Sequence, residues 1–133
     1  MKYMLLMAPR GTQADWDEFA SMPPEDLQAH FQFQNQLVQS LQDAGVLVDG
    51  QGLGPPDQAK IVRATSDGTP AVTDGPFPEA KEWLAGYWLV DVESVDQAVE
   101  IAARASAAPG RGGEPLNIPI EVRQVMDAPP EDV

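Results

Sequence analysis

Hydrophobic side chains recur along this chain with two spacings, alternating in some segments and falling every three to four residues in others. Tyr3, Leu5 and Met7 interleave with the equally apolar Met4 and Leu6, which predicts a first strand over residues 2–7, covered on both faces. Ser21-Met22-Pro23-Pro24-Glu25-Asp26 then reads as a helix start. It has a hydroxyl cap, prolines where first-turn amides lack partners, and acids at the positive dipole end. A long helix follows and ends at Gly45. Val46 and Val48 predict a short strand ahead of the glycine-rich residues 50–56. Residues 59–65 and 69–73 flank Ser66-Asp67-Gly68, and Asp-Gly between β-rich runs signals a hairpin. Residues 83–92 carry the strongest strand pattern, with Tyr87, Leu89 and Asp91 on one face and Trp88, Val90 and Val92 on the other, so this strand is placed centrally. Ser94 and Gln97 resemble a capping box, and Val95, Ala98, Val99 and Ala102 behind them predict a second helix to about residue 107. Residues 109–113 read as a flexible connector, 118–126 as a last strand and 127–133 as an acidic flexible tail. The element order predicts one α+β domain over residues 1–126, with two main helices on one face of an antiparallel sheet.

Winding residues 27–45 at about 100° per residue gathers Leu27, Phe31, Phe33, Leu37, Val38, Leu41 and Ala44 into one arc. Two polar residues fall inside it, His30 and Gln34, four apart and therefore on the same face. A buried imidazole or amide without partners costs about 1–3 kcal/mol, so the pair either lines a cavity or bonds to backbone or to each other and fixes the helix. The other polar residues of the stretch point away. Histidine is the side chain best suited to proton transfer near neutrality, which makes His30 a candidate catalytic residue and Gln34 a candidate substrate contact.

The segment Asp74-Gly75-Pro76-Phe77-Pro78-Glu79-Ala80-Lys81-Glu82 places four ionisable side chains just before the central strand. Asp74 or Glu79 is a candidate general base, with Lys81 positioned to stabilise an enolate or carboxylate and Trp83 and Tyr87 as an aromatic wall for substrate. The competing reading makes Asp74 a turn carboxylate that accepts from amides two residues on, the other charges a solvated strand end, and the aromatic residues sheet interior. Arg63 and Arg123 are available to an anionic ligand or to the many surface acids.

Composition narrows the field. A chain of 133 residues fits one domain, and a formal net charge of −13 opposes phosphate backbones and anionic lipid. Nucleic acid and membrane partners are therefore not expected, and no run approaches the roughly 20 apolar residues that span a bilayer. The N-terminal apolar run stops at Pro9-Arg10, short of a secretory signal, so a cytoplasmic protein is expected. With no cysteine and one histidine, a transition-metal site would rest almost wholly on carboxylates, and no metal or organic cofactor is expected. The glycine clusters at residues 52–54 and 110–113 lack the context of a nucleotide-binding loop.

Asp-Gly-Pro-Phe at 74–77, followed by Glu79, Lys81 and Glu82 and an aromatic strand, resembles the YCII-related proteins of the DGPF type. The opening Met1-Lys2-Tyr3-Met4-Leu5-Leu6, the corner Ala44-Gly45-Val46-Leu47 and Glu121-Val122-Arg123 follow in that family's order. The resemblance implies a ferredoxin-like, dimeric α+β barrel, and hence a homodimer, an expectation shared by a small sheet with one uncovered apolar face. It also implies a helix histidine paired with a carboxylate, at a position that Gln34 occupies here, with His30 one turn earlier and displaced by about 5 Å. Similarity to muconolactone isomerase and ring-dehalogenating enzymes implies a small cofactor-independent lyase or isomerase for a carbonyl or carboxylate compound. The alternative is a non-catalytic ligand-binding or accessory protein linked to sigma-factor regulation, as the association of DGPF relatives with extracytoplasmic-function sigma factors implies.

Overall fold

Alternating burial along the first strand sets the layout of the molecule. The computed structural model describes residues 1–8, 13–75 and 84–126. Strand β1 (Lys2–Met7) buries Tyr3, Leu5 and Met7 on one face. Strand β5 (Gly86–Asp91) runs antiparallel beside it and buries Trp88 and Val90 on the same side, with Tyr3 opposite Val90 and Leu5 opposite Trp88. Strand β2 (Leu47–Gly52) pairs with the outer edge of β5, and β6 (Ile120–Gln124) with the outer edge of β1, giving the order β2-β5-β1-β6 with every pair antiparallel. The strand pattern read at residues 83–92 is thus central, as expected, although residue 83 lies outside the described residues.

Two helices cover the apolar face. Helix α2 (Pro24–Asp43) contributes Leu37 and Leu41, and α3 (Val95–Ser106) contributes Ala98, Ile101, Ala102 and Ala105 to one continuous core with β1 and β5. Helix α2 ends as its sequence dictates. Gly45 takes a φ of +71°, its amide donates to the Gln42 carbonyl at 2.9 Å, and the Val46 amide reaches back to Leu41 at 3.1 Å. That double bond pattern needs a left-handed residue, which glycine adopts without Cβ strain. The start of α2 departs from expectation. Its N-cap is Pro23, which offers no side-chain acceptor, while the Ser21 hydroxyl donates backward to the Glu18 carbonyl at 2.8 Å. Ser21 therefore closes a preceding helix, α1 (Gln13–Ala20), that the apolar pattern did not predict.

At α3 the Ser94 hydroxyl accepts from the Gln97 amide at 3.3 Å, as a capping box requires. The reciprocal bond falls one residue early, with the Gln97 side chain accepting from the Glu93 amide at 2.8 Å. Strands β3 (Lys60–Ala64) and β4 (Pro70–Asp74) form the expected hairpin. Its turn is organised by Asp67, which accepts from the Thr65 hydroxyl at 2.6 Å and the Thr69 amide at 3.0 Å. Residues 109–113 are not the flexible connector expected from their glycines. Pro109 and Pro115 form a β-bridge, a 3-10 turn spans Arg111–Gly113, and the Gly112 amide donates to Asp26 at 3.1 Å, tying the loop to the first turns of α2.

The expected ferredoxin-like, dimeric α+β barrel is corrected by this topology. The four-stranded sheet is open, β2 and β6 end it as edges, and β3–β4 stand apart as a second sheet of two strands. The fold is α+β, with a small antiparallel sheet and few helices. Closure into a barrel depends on how edges find partners, whereas alternating side chains report only which face each strand buries. The expected acidic tail at 127–133 lies outside the described residues. No helix among the described residues is long and apolar enough to cross a membrane.

Candidate functional site

His30 is the one buried polar or charged side chain among the described residues, 6% exposed within the face of α2. Its Nδ1 lies 2.9 Å from the carbonyl oxygen of Pro109. A carbonyl only accepts, so Nδ1 carries a proton and donates, and in the neutral form of the ring the lone pair is on Nε2. The loop that presents Pro109 is held by the Pro109–Pro115 bridge, by the Leu116 amide donating to Ala108 at 2.9 Å, and by Gly112 on Asp26. Aromatic edges flank the imidazole. Phe19 of α1 meets it at 4.9 Å between ring centroids with planes 77° apart, and Phe31 at 5.3 Å with planes 83° apart.

His30 forms part of the wall of a partly open cavity of about 460 Å³ bordered by α1, α2, the ends of β1 and β2, the start of β5 and the segment after the 109–113 loop. Gln34 lines it one turn along α2, and Tyr87 and Trp88 line it from β5. The Tyr87 hydroxyl donates to Asp49 Oδ2 at 3.0 Å, and Gln51 Nε2 donates to Asp49 Oδ1 at 3.2 Å. The Tyr87 bond, followed by the backbone amide of Gly50, holds the Asp49 carboxyl below its ordinary range, and the same carboxylate raises the phenol of Tyr87. Gly86, where β5 enters the cavity, sits opposite Gly52, and a Cβ there would stand 2.7 Å from the Gln51 carbonyl oxygen.

A family model for the YCII-related domain matches residues 1–113. The chain belongs to the YCII-related family. An uncharacterised protein of Rhizobium meliloti (strain 1021) is 39% identical over 66 residues, covering 46% of this chain and 53% of that protein. The chain thus spans about half the length of the curated relative it matches. In this YCII-related chain Leu116 and Ile118, which follow the matched stretch, complete the cavity wall.

The structure brings His30 and Gln34 together on the cavity wall, and Tyr87 borders it with its hydroxyl on the far face of the sheet, bonded to Asp49. Asp74 is placed elsewhere. It ends β4, forms an exposed ion pair with Lys60 across the hairpin, and is absent from the cavity lining. Glu79, Lys81 and Trp83 lie outside the described residues. Arg63 is exposed on β3, and Arg123 sits on β6 with its Nε 3.6 Å from Glu121. Among the described residues no group of His, Asp and Glu is arranged to hold a metal ion. Sequence reasoning missed Asn35, Gln51, Trp16 and Phe19 in the lining, and Asp49 behind Tyr87. The i, i+3 spacing of Trp16 and Phe19 was the available signal for α1 and its aromatic face.

Proposed function

We propose that the protein is a small cofactor-independent lyase or isomerase that moves a proton next to a carbonyl, with His30 as the acid–base group. The observation that carries this reading is the bond from His30 Nδ1 to the Pro109 carbonyl in the wall of the 460 Å³ cavity. A backbone carbonyl that fixes one imidazole nitrogen as a donor leaves the other as the base. Nε2 takes a proton from the carbon beside the substrate carbonyl, leaving an enolate and an imidazolium. Return of that proton to a different carbon isomerises the substrate. Expulsion of a leaving group, which takes the proton from the imidazolium, is the lyase outcome. Gln34 is proposed as a substrate contact, Tyr87 as one only through its backbone beside Trp88, and membership of the DGPF type within the family is proposed from the Asp-Gly-Pro-Phe segment. Asp74, Glu79, Lys81 and Trp83 belong to that proposal as motif residues, and Asp74, paired with Lys60, has no part in the proton transfer proposed for His30.

The placement of Asp74 on Lys60, off the cavity, favours a second reading, a ligand-binding or accessory protein without catalysis. The two separate on proton exchange. Deuterium wash-in from solvent into a panel of small cyclic ketones should be accelerated by the wild-type protein and fall by about 10²-fold or more in His30→Gln. Equal exchange rates for the two proteins leave the binding reading in place of the enzyme. Residues 1–126 are proposed as the single functional domain, working as a homodimer. Met4, Leu6 and Leu89, half-buried on the sheet face away from α2 and α3, support a second copy there. Light scattering that returned the mass of one chain at micromolar concentration would remove the homodimer.

A further inference from the structure

The cavity around His30 has a one-sided electrical character. Trp16, Phe19, Phe31 and Trp88 supply rings, and the polar side chains that reach it from α2 are the imidazole and the amides Gln34 and Asn35, whereas Tyr87 and Gln51 border it from paired strands with their side chains on the far face of the sheet. None of the described lining residues is Lys, Arg, Asp or Glu. A carboxylate entering such a space gives up its hydration shell, a loss that only a cation or several aligned donors offset.

Tyr87 and Gln51 offer no side-chain donor on this side of the sheet. The hydroxyl proton of Tyr87 and an amide proton of Gln51 both go to Asp49, at 3.0 Å and 3.2 Å. The chain as a whole carries −13. In the α2 wall the imidazole in its neutral form keeps its lone pair on Nε2, because Nδ1 is committed to Pro109. A lone pair repels a carboxylate oxygen and accepts a hydroxyl proton. A volume of about 460 Å³ lies within the range of small-molecule sites.

We propose that the cavity binds an uncharged ring compound of one or two rings that carries a hydroxyl, with the hydroxyl donating to His30 Nε2, and that it rejects carboxylates. The proposal rests on the cavity being the ligand site, and it narrows the substrate of the proton-transfer reading to a neutral cyclic ketone bound through its enol. It sets aside the carboxylate ligands for which Lys81, Arg63 and Arg123 are candidates in the sequence.

Calorimetric titration of the full chain at neutral pH with naphthalene, naphthol and naphthoate tests this, since the three share a ring system and differ in hydroxyl and charge. Naphthol is expected to bind at least about tenfold tighter than naphthoate and tighter than naphthalene. His30→Phe, which keeps a ring between Phe19 and Phe31 but has no acceptor, is expected to reduce naphthol to the naphthalene level. Naphthoate binding as tightly as naphthol, naphthalene binding as tightly as naphthol, or no binding by any of the three overturns the proposal. If His30→Phe does not fold, the order of the three ligands on the wild-type protein decides alone. Naphthol-selective binding without His30-dependent proton exchange removes the catalytic reading and leaves this one. Naphthoate-selective binding with His30-dependent exchange does the reverse.

Discussion

A methyl group at Gly86 has no space to occupy. Its Cβ would stand 2.7 Å from the Gln51 carbonyl oxygen and 3.3 Å from the Gly52 Cα, both backbone atoms of the paired strand. Gly86→Ala should therefore lower stability by about 1–3 kcal/mol, as overpacking does, read from the urea midpoint. Gly52→Ala, which meets nothing within 4 Å, should stay within about 0.5 kcal/mol. A Gly86→Ala midpoint equal to wild type would show that β2 and β5 separate easily at the cavity mouth. At this scale the sequence disclosed His30 because an ionisable ring within an apolar stripe stands out on a helical wheel. It hid the ring's partner, because Pro109 contributes a backbone carbonyl and no side-chain pattern marks one. Asn35 follows Gln34 by about a third of a turn and so falls among the polar residues that the helical wheel points away from the apolar arc. The cavity is wider than the apolar arc, so its lining reaches past the edge of the stripe.

Among the elements, the two long helices show how far local signals extend. The Ser94 cap of α3 is made as its spacing implies, and Ser94→Ala should cost about 1 kcal/mol in thermal or urea denaturation. Ser21 has the same chemistry and a different outcome. Its hydroxyl bonds to the Glu18 carbonyl at the end of α1, so Ser21→Ala should leave stability within about 0.5 kcal/mol. A loss at Ser21 as large as at Ser94 would contradict this division of labour. A hydroxyl beside prolines is as well placed to end one helix as to begin the next, and only the presence of α1 decides between them. The loop at 109–113 is the converse case. Its glycines read as freedom, yet here they let the chain turn tightly enough for the Gly112 amide to reach Asp26 and Pro109 to reach His30.

For the whole molecule, the open sheet and the detached hairpin were beyond the reach of strand patterns, since pairing between distant segments leaves no local trace. Charge was legible, and it shapes the pH response. Asp49 and Asp67 are held below their ordinary carboxyl values, Asp67 chiefly by the hydroxyls of Thr65 and Thr69. Each adds stability that is complete above the unfolded value of about 4 and is lost as the pH falls through its folded value. Tyr87 is raised by Asp49, so its share is present below about 10 and is lost as the pH rises through its folded value. Acidification also relieves the repulsion of a net charge of −13, so the Asp49 contribution is read as the difference between wild type and Asp49→Asn. The melting temperature of Asp49→Asn should fall less than that of wild type on acidification, and Tyr87→Phe should lose less on the alkaline side. Parallel profiles for wild type and Tyr87→Phe above neutral pH would assign the alkaline limb to other groups. The chain has a single histidine, and that histidine is in the cavity wall. Every imidazole resonance in a proton NMR spectrum of this protein therefore comes from one known place, a built-in reporter that needs no labelling or assignment, and the Nδ1 proton held by Pro109 should appear as its slowly exchanging signal.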